Sequence, residues 1–330
     1  MRPAPFPAGR PRRLRRTAAL RDLGCETRLA PEQLVAPLFV KEGISDAQPV
    51  ASLPGVVQHT LESLRTEAKK LRAAGVTSWL LFGVPASKDA EGTAAWEPDG
   101  IVQRALRALR DDHGDEIVLL ADTCLDEYTD HGHCGPVRSD GSVDNDAAVA
   151  AYARAAVSQA EAGADLVAPS GMMDGQVAGI RAALDDAGYA EKTGIMSYCT
   201  KYASAFYGPF RDAAECAPSF GDRAGYQLDP ANGDEGVREA LTDAAEGADV
   251  LLVKPAVPYL DLVWRVKEAT RLPLAAYHVS GEYAMVHAAA ERGWIDGDRI
   301  MEETLRSIRR AGADIVITYA AGWMARRLSS

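Results

Sequence analysis

Eight short apolar stretches rich in β-branched residues recur along the 330-residue chain. They are "LVAPLFVK" (34–41), "SWLLFGVP" (78–85), "EIVLLADTC" (116–124), "ADLVAPSG" (164–171), "GIMSYCTK" (194–201), "ADVLLVKP" (248–255), "LPLAAYHVS" (272–280) and "ADIVITYA" (313–320). Each is of strand length and continuously apolar rather than alternating, as parallel strands buried on both faces are. Between them, apolar positions recur near every 3.6 residues and predict helices over 61–74, 101–110, 145–162, 176–187 and 257–270. Four strands are announced by a small-residue turn: Ala-Gly-Val before Thr77, then Ala-Gly-Ala-Asp, Glu-Gly-Ala-Asp and Ala-Gly-Ala-Asp ending at Asp165, Asp249 and Asp314. Glycine just past a helix suits the turn that feeds the next strand.

Eight β–α units predict an α/β fold, a single (β/α)8 TIM barrel over 21–330, preceded by a basic arm over 1–20. A doubly wound sheet would want a glycine-rich turn after the first strand, and "VKEGISDAQP" is not one. Two connections, 125–144 after the third strand and 202–232 after the fifth, are too long for plain links and show few helical cues. Long ordered loops in a barrel cover the site, and both are expected to do so, the first of them lying outside the core.

Composition narrows the functional classes. A net charge of -11 argues against nucleic acid as a partner. No apolar run reaches the ~20 residues that span a bilayer, and the N-terminus lacks the apolar segment of a secretory signal. Five scattered cysteines, an odd number, do not form a disulfide framework, so reduced thiols and a cytoplasmic location are expected. The run "RPRRLRR" (10–16) is open to three readings: a disordered basic tail, a targeting peptide, or an arm that docks on another subunit.

Barrel chemistry sits where strands end. Those positions hold Asp122, Cys124, Ser170, Lys201, Lys254, Ser280 and Tyr319. Lys201 and Lys254 end successive strands, roughly 5 Å apart, so their amines enter one pocket. Burial and like charge are expected to lower both pKa values, leaving free amines able to form Schiff bases with a ketone. The stretch "DTCLDEYTDHGHCG" (122–135) has the look of a metal site, with Asp126 where zinc would more comfortably meet another thiolate.

These segments, "SYCTKYASAFYGPF", "LLVKPAVPYLD" and "DTCLDEYTDHGHCG", with "APSGMMDGQV" and "HVSGEYAM", closely resemble the porphobilinogen synthase (5-aminolevulinate dehydratase) family, from "RPRRLRR" to the final helix. The resemblance implies a (β/α)8 lyase of tetrapyrrole (heme) biosynthesis that condenses two 5-aminolevulinate molecules into porphobilinogen with loss of two waters. It gives Lys254 the substrate of the propionate side and Lys201 the second substrate. It places Arg211, Arg223 and Gln227 on the second substrate, Ser280 and Tyr319 on the first, and Asp122 and Ser170 near the reacting centre. Cys124, Asp126 and Cys134 match the three metal positions of the family's loop. Two thiolates and a carboxylate favour zinc over magnesium, a hard ion that prefers oxygen. A purely structural zinc knuckle is the weaker reading, and neither His131 nor His133 is assigned as a ligand. By the same resemblance Glu239 would hold an allosteric magnesium, and the chain would form a homo-octamer, with N-terminal arms wrapping neighbours and hexamers as an alternative in some members. Outside the family, a Schiff-base aldolase would need one lysine and phosphate-binding turns that are not evident, and a non-catalytic metal-binding barrel would not need both lysines.

Overall fold

The computed structural model describes residues 4–329; the first three residues of the expected arm and the last residue of the expected barrel lie outside them. Eight parallel strands close on themselves: β1 (Leu34–Lys41), β4 (Ser78–Val84), β5 (Val118–Thr123), β6 (Leu166–Pro169), β7 (Gly194–Lys201), β8 (Val250–Lys254), β9 (Leu274–His278) and β10 (Ile315–Thr318). The pairing of Leu34 and Val35 with Val316 and Ile317 shuts the ring and excludes a doubly wound sheet. A hairpin of β2 (Gln48–Pro49) and β3 (Val57–His59) extends the end of β1. Helices α2 (Leu61–Ala73), α3 (Ile101–His113), α4 (Asn145–Glu161), α5 (Gln176–Asp186) and α8 (Leu260–Thr270) match the periodic segments to within a few residues.

The predicted turns are built as expected, and their aspartates add a device. Gly75, Gly163, Gly247 and Gly312 all have positive φ, between 93° and 121°, which glycine adopts without penalty. Behind the last three, each aspartate accepts an N–H from the first or second residue of a neighbouring strand: Leu119 N to Asp165 (2.7 Å), Ile195 N to Asp249 (2.8 Å) and Leu274 N to Asp314 (2.9 Å). Arg110 and Lys267 pair with Asp165 and Asp314, both at 2.6 Å. The strands are thereby fixed in register at the end opposite the chemistry.

The sequence reading differs from the structure in four places. The 202–232 connection contains a 3-10 turn (Ala205–Tyr207) and helix α6 (Gly208–Ala214), too short to show a period. Helices α7 (Gly233–Glu246), α9 (Ser280–Glu291), α10 (Gly297–Arg310) and α11 (Ala321–Leu328) complete the ring; α9 is Ala-rich on several faces, which blurs its stripe. The loop after β5 does not lie outside the core: Cys124, Leu125, Asp126, Tyr128 and Cys134 are all buried. The arm is not without structure. It holds a 3-10 turn (Pro11–Arg15) and the start of α1 (Ala18–Leu23), with no buried residue in either, and leaves Phe6 and Leu14 exposed, with Leu23 exposed just beyond it. No helix among the described residues is long and apolar enough to cross a membrane.

Candidate active site

Lys201 and Lys254 are direct register partners at the ends of β7 and β8. Each is only 4% exposed. Their surroundings differ. The Lys254 amine is boxed by four rings, Tyr277 at 4.7 Å, Phe210 at 4.9 Å, Tyr207 at 5.1 Å and Tyr198 at 5.2 Å. Burial first, and then the Lys201 charge, pull its pKa down to about 7. The Lys201 amine donates to the Ser170 carbonyl at 2.5 Å. Burial lowers its pKa too, but the negative charges of Cys134, Cys124 and Asp126 outweigh that and raise it. The expectation that both lysines would be depressed therefore holds for Lys254 alone, because Lys201 faces the acidic loop.

Asp122 accepts from the Ser170 hydroxyl at 3.2 Å, and its other oxygen has no partner among the described residues. Burial and the Asp126 charge push its carboxyl up to about 7. A carboxyl and an amine that both titrate near neutrality thus share one end of the barrel, the arrangement proton transfer needs.

One sulfur each of Cys124 and Cys134 and one Asp126 oxygen lie within 4.8 Å of one another, all buried. Burial works against ionisation of both thiols. At Cys134 a hydrogen bond from Cys124, with Arg223 and Lys201, outweighs it and lowers the pKa; at Cys124 burial, then the hydrogen bond to Cys134 and the Asp126 charge, raise it. His131 and His133 stay out of the cluster: His131 meets the Ala90 carbonyl, and His133 meets the Phe220 carbonyl and the Tyr226 hydroxyl.

The long loop after β7 supplies the remaining candidates. Arg223, 4% exposed, pairs with Asp126 at 2.8 Å and donates to the carbonyls of Cys216 (2.7 Å) and Gly132 (2.9 Å). Its fork therefore orients the carboxylate of the acidic loop in this structure. Arg211 on α6 makes no ion pair among the described residues, and its buried Nε, like Gln227 Nε2, lacks a partner. Unmet donors of this kind suit an incoming carboxylate. Ser280 accepts the Phe210 N–H (3.0 Å) and donates to the Phe206 carbonyl (3.3 Å), which ties α9 to the lid. Tyr319, half-buried, accepts from the Tyr277 hydroxyl (3.2 Å). Glu239 stands apart, beside Asp174 and Glu235 on a cleft of about 510 Å³; burial and those two charges raise its pKa.

Three features escaped the sequence reading. The aromatic box around Lys254 draws on three separate segments, so no local spacing announces it. Glu127, buried beside Asp126, has its pKa raised strongly by burial and then by Asp126; the adjacent acids were the available signal. Glu282 accepts the N–H groups of Val257 and Val279, both at 2.7 Å, and so joins the turns after β8 and β9.

The sequence profile of the delta-aminolevulinic acid dehydratase family matches residues 8–327. The chain belongs to that family. It is 53% identical to the delta-aminolevulinic acid dehydratase of Streptomyces coelicolor over 325 residues, covering 98% of each chain. It is 55% identical to that of Mycobacterium tuberculosis, covering 97% of this chain and 98% of the relative. Among solved structures it superposes on the delta-aminolevulinic acid dehydratase (porphobilinogen synthase) of Toxoplasma gondii, determined with the reaction product porphobilinogen, with a TM-score of 0.94 and 44% identity, covering 97% of this chain and 91% of the other. Family membership extends over the closed barrel, both long loops and most of the arm.

Proposed function

We propose that this chain condenses two molecules of 5-aminolevulinate to porphobilinogen through Schiff bases on Lys254 and Lys201. The observation that carries the reading is the pair of buried lysines in register, one held near neutrality inside an aromatic box. A neutral Lys254 amine adds to the ketone of the first substrate and expels its oxygen as water, while Ser280 and Tyr319 hold that substrate's carboxylate. Lys201 meets the second substrate, whose carboxylate falls to Arg211 and Gln227. Arg223 joins them at the lid end while keeping Asp126 oriented. Asp122 and Ser170 face the amines, and a carboxyl titrating near 7 can pass protons during imine formation and ring closure.

Cys124, Asp126 and Cys134 have the donor set and mutual approach for zinc, with Arg223 fixing the carboxylate as metal-bound acids are commonly fixed. When bound there, zinc would offset the thiolate charge facing Lys201 and act as a Lewis acid toward the second substrate. The acidic cleft at Glu239 supports an allosteric magnesium there, and the exposed apolar residues of the arm support docking on a second copy in a homo-octamer.

Borohydride added during turnover should fix 5-aminolevulinate covalently, with the mass increase mapping to the peptides of Lys254 and Lys201. Absence of any label on either lysine would overturn the Schiff-base reading. Arg211→Ala should raise the apparent KM for 5-aminolevulinate roughly tenfold to a few hundredfold, because a desolvated charge-assisted pair contributes ~1.5–3 kcal/mol. Initial rates across substrate concentration measure this, and an unchanged KM would remove Arg211 from the substrate site.

A further inference from the structure

Arg211 has no ion pair among the described residues, so its position comes from the helix that carries it. That helix, α6, is gripped by the barrel rim at its C-terminal end. Glu215 closes α6 in the left-handed conformation, φ 52°, which costs a residue with a Cβ atom. Its carboxylate is paired with Lys41 at the end of β1 and accepts from Gln58 Nε2 of β3 at 3.0 Å. Its carbonyl accepts from Lys88 Nζ at 2.5 Å. Gln58 Nε2 also reaches the Ala213 carbonyl (2.8 Å), and Ser52 Oγ donates to Asp212 (2.6 Å). The Arg211 carbonyl in turn accepts the N–H of both Glu215 and Cys216. The guanidinium and the gripped residue are thus one helical turn apart on a rigid segment.

We propose that Glu215 is a positioning residue for Arg211: Lys41 and Gln58 grip its carboxylate and so hold α6 where Arg211 meets the carboxylate of the second substrate. The proposal rests on the reading of Arg211 as a substrate-binding side chain. Phe210, Ala213 and Ala214 are buried and anchor α6 independently of Glu215, so the helix is expected to persist without the grip while its placement loosens. Misplacement of a charged fork lowers affinity before it touches the chemistry at the lysines.

Glu215→Gln and Lys41→Met should each raise KM about threefold to tenfold, the range of a partly exposed ion pair with a hydrogen-bonding neighbour, with kcat within about twofold of wild type. Glu215→Gly keeps the left-handed turn without strain and without the carboxylate; it should raise KM equally while melting no lower than wild type. The deciding measurement is a double-mutant cycle. In an Arg211→Ala background, Glu215→Gln should add no further rise in KM, because nothing remains to be positioned. If Arg211→Ala raises KM but Glu215→Gln and Glu215→Gly leave it unchanged, the positioning role falls and the substrate role of Arg211 stands. Additive effects in the cycle would also overturn it. An unchanged KM in Arg211→Ala itself would remove the underlying reading, a different failure from the other two.

Discussion

Lys254→Ala is expected to abolish porphobilinogen formation, lowering kcat by at least roughly a thousandfold, because the amine that forms the first imine is gone and no side chain in the box replaces it. Four rings surround that amine and none carries a nucleophilic nitrogen. Lys254→Met keeps the apolar stem in the box and should be equally inactive, which separates lost chemistry from lost packing. Substrate should still bind weakly through Ser280 and Tyr319. In the wild-type protein, imine formation at this lysine should rise with pH through about 7, since only the neutral amine attacks. The stability effect has a definite sign. Between about 7 and the ordinary value of 10.5 the unfolded lysine binds a proton that the folded one does not, so stability rises with pH across that window and both variants lose that slope. Quenched-flow trapping against pH and calorimetry against pH check the two statements. Residual turnover above a few per cent in either variant would contradict the assignment of Lys254.

Removing the thiolates should have the second-largest effect. The double variant Cys124→Ala, Cys134→Ala is expected to lose zinc and nearly all activity, a fall of roughly a hundredfold or more, because one carboxylate cannot hold the ion in a tetrahedral site. In the wild-type protein chelation should remove activity and zinc should restore it, with affinity falling below neutral pH as the thiols take up protons. Asp126→Cys should tighten zinc, thiolate being the softer ligand. Asp126→Ala is a different experiment from one on an exposed loop. It leaves Arg223 charged and buried without its 2.8 Å partner, so a loss of about 3–5 kcal/mol of stability should accompany the weakened metal site. Elemental analysis alongside activity and melting separates these effects. Full activity of the double cysteine variant with magnesium alone in a zinc-free preparation would show that the loop does not need zinc and would leave the lysine chemistry untouched.

The sequence by itself determined the barrel, because a parallel barrel buries each strand on both faces and so writes uninterrupted apolar runs at the spacing of β–α units. It determined the placement of Lys201, Lys254, Asp122 and Cys124 as well, since strand ends are local features and barrel chemistry gathers at one set of them. Cys124, Asp126 and Cys134 were legible as a cluster because they lie within one loop. What only the tertiary structure decided depends on neighbours distant in the chain. The two lysines look alike in sequence, yet one lies among rings from β7, α6 and β9 and is depressed, while the other faces the acidic loop after β5 and is raised. Burial of that loop, the Asp126–Arg223 pair and the grip of Lys41 and Gln58 on Glu215 join residues from about 100 to more than 170 positions apart. No local period encodes such contacts. A pKa follows the charges and solvent that folding brings to a group, and these are fixed only once the barrel has closed and the lid has packed onto it.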